Sequence, residues 1–77
     1  MDVKQVVKDV LVNELKVKPE ELKDDVSLQE SISVDSTEMV DVVLALEKAA
    51  GVKLETSEVT KYCTINEIEG IIKSKKD

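Results

Sequence analysis

The chain has 77 residues, with 17 carboxylates against 11 lysines for a formal charge of −6, no histidine, and Tyr62 as its single aromatic residue. That length supports one small aliphatic core, so a single domain over residues 1–77 is expected. The inventory excludes imidazole-based nucleophilic catalysis, a Cys/His zinc site and a disulfide framework, since Cys63 is the only cysteine.

Charge is uneven along the chain. Residues 1–18 and 59–77 each carry net +1, whereas residues 19–58 hold eleven acids and three lysines, net −8. With no arginine and no lysine cluster in that segment, no nucleic-acid partner is expected. A basic protein surface is the complementary partner. The opening "MDVKQVVKDV" lacks the apolar run of a signal peptide, and no stretch is long enough for a membrane span. A cytoplasmic monomer is therefore expected, and a lone cysteine suits a reducing compartment.

In chain order, Val3, Val6, Val7, Val10, Leu11 and Leu15 follow helical spacing, with Asp2 as N-cap. The spacing predicts a helix from residue 3 to residue 16. Pro19 opens a short turn through "PEEL". Residues 17–35 hold no long periodic run and read as a long loop tied down by Val26, Leu28 and Ile32. The next helix spans Ser36 to Ala50, with Gly51 as its stop. A brief helical turn is expected in "LETSEVTKY". The last helix follows Thr64, which with Glu67 has capping-box spacing, and its apolar positions are Ile65, Ile68, Ile71 and Ile72. Residues 73–77 are expected to fray. The fold class is thus all-α: a small up-down bundle of three longer helices and one short one, with a long first loop.

The acidic loop "DDVSLQES" fails as an EF-hand, because a calcium loop starting at Asp25 has Glu30 at its sixth position, where glycine is required. Gly51 and Gly70 are the only glycines, so no phosphate-cradling loop exists. Cys63 reads as a small, partly buried apolar residue rather than a nucleophile.

The helix from Ser36 holds more apolar residues than one core stripe needs. Met39, Val42, Val43, Leu46 and Ala50 form that stripe. Val40 and Leu44 fall elsewhere, beside Thr37 and Lys48 and rimmed by Asp35, Glu38, Asp41 and Glu47. Two readings are open. Either this is a docking face with an apolar centre and a charged rim, or the long loop covers both aliphatics. The start of the helix is also open, since Asp35 with Glu38, Ser33 and Ser36 are all candidate caps.

The stretch "VDSTEMVDVVLALEKAAGVKL" resembles the centre of the acyl carrier protein family: an Asp-Ser pair opening a helix, acids along it, and an "ALE" stretch further on. The opening helix, the "VKPEEL" turn, the acidic loop and the "INEIEGII" helix follow the family's order across nearly the whole chain. The resemblance implies that Ser36 carries 4′-phosphopantetheine, transferred from coenzyme A by a phosphopantetheinyl transferase. It implies a carrier rather than an enzyme, holding acyl thioesters for loading, elongating or transferring enzymes of fatty-acid, polyketide or related biosynthesis. Asp35, Thr37, Glu38, Val40, Asp41, Leu44, Glu47 and Lys48 become docking residues. Leu28, Met39, Val43, Leu46, Leu54, Val59, Tyr62, Ile68 and Ile72 become the acyl pocket, with Tyr62 as a bulky entry that shortens it. A carrier of D-alanyl or aminoacyl cargo, and an unmodified helical interaction domain, are the alternatives. Two positions depart from the family pattern: Ser33 replaces a common glycine, and Thr37 replaces a leucine. Lys48 also makes the helix end less acidic, which suggests a specialised carrier.

Overall fold

The Asp2 carboxylate accepts from the Gln5 N–H, and helix α1 runs Val3–Leu15 from that cap. The computed structural model describes residues 1–76. Lys16 ends α1 in the left-handed region at φ 57°, with its N–H bonded to the Val12 carbonyl. A single 3-10 turn, Pro19–Glu21, follows where the proline suits a first-turn position. Then come α2 (Leu28–Ile32), α3 (Ser36–Ala50) and α4 (Ile65–Lys76). Among the described residues there is no strand, only one isolated antiparallel bridge between Ser27 and Thr64. The architecture is the all-helical bundle that the periodicity predicts.

Helix α1 packs on both α3 and α4. It buries Val3, Val7, Val10 and Leu11 against Met39, Val42, Val43, Leu46 and Ala50 of α3 and Ile65, Ile68 and Ile72 of α4. The whole predicted stripe of α3 is therefore inside. Each of these larger aliphatics contributes about 1.5–3 kcal/mol by leaving water. Leu22 and Val34, which no periodic pattern flags, are buried as well.

The short helix lies elsewhere than expected. Residues 56–62 form turns, because side chains there bond the local backbone: Glu58 Oε2 accepts from Glu55 N at 2.9 Å, and Thr60 Oγ1 from Tyr62 N at 3.3 Å. The one-turn helix is α2, inside the long first loop. Ser27 Oγ caps it by accepting from Glu30 N at 3.2 Å, and the fully buried Leu28 anchors it. Helix α4 continues through Lys76, with Lys75 Nζ 2.7 Å from Glu58 and Lys76 Nζ donating to the Ala50 carbonyl at 2.8 Å. Asp77 lies outside the described residues.

Polar contacts tie the first loop down. Leu28 N donates to the Cys63 carbonyl at 3.0 Å and Gln29 N to the Lys61 carbonyl at 2.9 Å. Asp24 receives Lys8 at 3.0 Å and Lys4 at 3.4 Å. The Lys8 hydrogen bond, aided by Lys4, lowers the Asp24 pKa below its ordinary value. The Lys75 hydrogen bond, with the Glu55 N–H, does the same for Glu58.

Ser33 closes α2 in the left-handed region at φ 55°, with its N–H on the Gln29 carbonyl. A Cβ is strained there, and glycine relieves the strain at some cost in unfolded-chain entropy. Ser33→Gly should therefore stabilise the fold by about 0.5 kcal/mol, read as a higher urea midpoint at unchanged slope.

Candidate functional site

The start of α3 separates capping from availability. Asp35, not a serine, is the N-cap. Its Oδ1 accepts from Glu38 N at 2.7 Å, and Glu38 Oε1 accepts from Asp35 N at 3.1 Å, a complete capping box. Ser33 is occupied in ending α2. Ser36 therefore stands at the first helical position, exposed, with no capping duty. Among the described residues, no hydrogen bond engages its Oγ or the backbone N–H groups of Ser36 and Thr37. A free hydroxyl beside unpaired N–H groups at the positive end of a helix is a place where an anionic ester is accommodated.

The face that follows is open. Val40 is 46% and Leu44 52% exposed, so the first loop does not cover them. Ser36, Val40, Leu44 and Lys48 follow one another at i, i+4 along α3, a row of about 18 Å. Thr37 and Asp41 flank it, also exposed, with Asp35 and Glu38 at its head. The apolar centre and charged rim read from sequence are thus brought together on one surface. Glu47 has a second task, because its Oε2 accepts from Leu54 N at 2.9 Å and ties the end of α3 to the following loop.

Beside Ser36 lies a cleft of about 360 Å³ between α3 and the 56–62 turns. Met39, Val40 and Val59 form its apolar lining; Thr56, Thr60, Lys61 and Tyr62 supply polar groups. Below it, Leu28, Met39, Val43, Leu46, Leu54, Val59, Ile68 and Ile72 all belong to the buried core. Tyr62 does not. It is 66% exposed, and its ring borders the cleft rather than entering the core. The inward positions of that turn go to Val59 and the half-buried Cys63, while the phenol keeps its hydroxyl in water. The Cys63 thiol donates to the Glu58 carbonyl at 3.6 Å. Sequence reasoning did not place Lys61 beside the cleft; no periodicity marks it, because it lies in a turn.

The family model described as "phosphopantetheine attachment site" matches residues 5–72. The chain belongs to the acyl carrier protein family. It is 31% identical over 70 residues to an acyl carrier protein of Wolinella succinogenes, spanning 91% of this chain and 92% of that relative. It is 35% identical over 68 residues to one of Campylobacter hominis, spanning 88% and 86%. A third acyl carrier protein, from Thermosynechococcus vestitus, is 28% identical over 74 residues. Acyl carrier proteins are carriers rather than catalysts, and 4′-phosphopantetheine is the family's cofactor. The start of α3 fits that group on structural grounds: an uncommitted, exposed hydroxyl and two free N–H donors for a phosphodiester. Among the described residues, no helix is long and apolar enough to cross a membrane, and no cluster of three or more His, Cys, Asp or Glu could hold a metal.

The separation of cap and hydroxyl has a direct consequence for stability. Asp35→Ala should cost about 1 kcal/mol, the value of a lost N-cap. Ser36→Ala should stay within about 0.5 kcal/mol of the parent. Chemical denaturation of the two variants measures both.

Proposed function

We propose that Ser36 is the attachment point of 4′-phosphopantetheine and that this chain presents acyl groups to separate biosynthetic enzymes. The observation that carries this reading is the free Ser36 hydroxyl at the head of α3, relieved of capping by Asp35. When bound, the group supplies a terminal thiol on which acyl cargo rides as a thioester. The chain's own residues hold the arm at a helix N-terminus, offer a face for partners and shelter cargo; bond-making belongs to the partners. The chain itself is therefore a carrier and not an enzyme. A phosphopantetheinyl transferase is the first partner, followed by enzymes of fatty-acid, polyketide or related pathways in the cytoplasm, with the chain acting as a monomer.

The docking face supports partners of mixed character. Asp35, Glu38 and Asp41 suit basic groups near the entrance of a partner's active site. Val40 and Leu44 supply apolar contact. Thr37 withdraws an apolar contact and Lys48 reverses the charge at the far end of the row, which together favour a narrower partner set than a general fatty-acid carrier has. D-alanyl or aminoacyl cargo on the same arm is a matter of which enzyme loads it.

The buried set from Leu28 to Ile72 offers an aliphatic interior that a guest chain can share. Met39, whose flexible side chain stands between the cleft and the core, is the adaptable element. Incubation with coenzyme A and a broad transferase should add the mass of one phosphopantetheine to the wild type and none to Ser36→Ala. An unchanged wild-type mass would move the chain to an unmodified interaction domain. Acylating the arm with progressively longer chains should then raise the thermal midpoint, up to the length that the core accepts; a flat response would rule out sheltering.

A further inference from the structure

Attachment at Ser36 creates an electrostatic problem. The capping box pins the carboxylates of Asp35 and Glu38 within one turn of the serine. A phosphodiester on Ser36 adds a third negative charge in a segment that is already acidic. The helix N-terminus offsets part of this repulsion through its free N–H groups. A second source of positive charge lies across the cleft.

That source is Lys61. Among the described residues it is the one cation lining the cleft that Ser36 shares with Met39, Val59, Thr60 and Tyr62. Its backbone is fixed, because its carbonyl accepts from Gln29 N of α2 at 2.9 Å. Its ammonium sits 5.4 Å from the centroid of the Tyr62 ring, a cation–π arrangement that narrows its freedom. Among the described residues Lys61 forms no ion pair, as is also true of Lys16, Lys18, Lys23, Lys48 and Lys53, but of these Lys61 alone lines the Ser36 cleft. An ammonium over the Tyr62 ring, on a residue lining the Ser36 cleft and with no carboxylate paired to it among the described residues, is placed to meet an anion on Ser36.

We propose that Lys61, held over Tyr62, binds the phosphodiester of the Ser36-linked arm and turns the arm into the cleft beside α3. Tyr62 is then a support for the arm's path at the surface, consistent with its exposure, rather than a plug in the core. The contact sets where the arm starts. It favours the arm lying along the 56–62 turns over swinging free on the Asp35 side. This inference rests on attachment at Ser36.

The test compares unmodified and phosphopantetheinylated wild type, Lys61→Met and Lys61→Arg, each checked by intact mass. Unmodified Lys61→Met gives up the contact over Tyr62, about 0.5 kcal/mol or roughly 2–4 °C, so each modified form is read against its own unmodified form. The change in midpoint on modification should be about 2–4 °C less favourable in Lys61→Met, the size of one surface charge pair in a domain this small, and restored in Lys61→Arg. The ³¹P resonance of the modified protein should move in Lys61→Met but not in Lys61→Arg. In the wild type alone, raising salt should shift that resonance toward its position in Lys61→Met. Equal midpoint changes in all three forms, or a wild-type ³¹P resonance indifferent to salt, would overturn the role of Lys61 while leaving attachment intact. A wild-type chain that gains no mass would remove both.

Discussion

The reciprocal bond between Asp35 and Glu38 is the constraint on which the functional end of this molecule depends. A helix must satisfy its first N–H groups, and serine is among the side chains best suited to do so. Had Ser36 taken that duty, its hydroxyl would be turned back into the helix and engaged. The capping box assigns the duty to the preceding aspartate and the glutamate three residues on, at 2.7 and 3.1 Å. The serine is left at the first helical position, open and beside two N–H groups without partners. The same two carboxylates that free the hydroxyl also surround it with negative charge. That makes an available cation such as Lys61 consequential.

The rest of the fold holds this helix start in place. Helix α3 buries one complete stripe against α1, and the Glu47 bond to Leu54 N fixes its far end. With both ends defined, the row Ser36, Val40, Leu44 and Lys48 faces outward as a rigid ruler. The opposite wall of the cleft is kept near Ser36 by backbone bonds from α2 to the Cys63 and Lys61 carbonyls. The long first loop is thus a strap between the 61–66 segment and α1, where Asp24 takes two lysines. Its cover stops short of Val40 and Leu44, which remain free for a partner.

Most of this was legible where a rule of local chemistry applies. Helical spacing located three helices and the inward residues of α3; capping signatures located Asp2, and Thr64 with Glu67, whose two bonds are 2.8 and 3.0 Å, but left Asp35 level with Ser33 and Ser36 until the capping box decided for Asp35. The sequence was silent where the outcome depends on distant partners. Helix α2 is too short for periodicity to mark, and it exists because Leu28 finds the core and the 61–63 carbonyls receive its first N–H groups. The 56–62 stretch has helical-looking composition but spends its Glu58 and Thr60 side chains on its own backbone. Tyr62, named as a bulky pocket residue on the family resemblance, is 66% exposed and borders the cleft, with Val59 and Cys63 taking the inward positions of its turn. Lys61 was invisible for the same reason that it matters: its significance arises only from the cleft that it shares with Ser36. The choice between a covered and an open Val40–Leu44 face was undecidable from spacing alone, and exposure decides it.

Amide hydrogen exchange at the head of α3 in the unmodified chain tests the division of roles between Asp35 and Ser36 most directly. The Glu38 amide, bonded to Asp35, should be protected, while the Ser36 and Thr37 amides should exchange close to the rate of an unstructured peptide. Protected Ser36 and Thr37 amides, or a Glu38 amide whose protection is lost in Ser36→Ala and kept in Asp35→Ala, would contradict it.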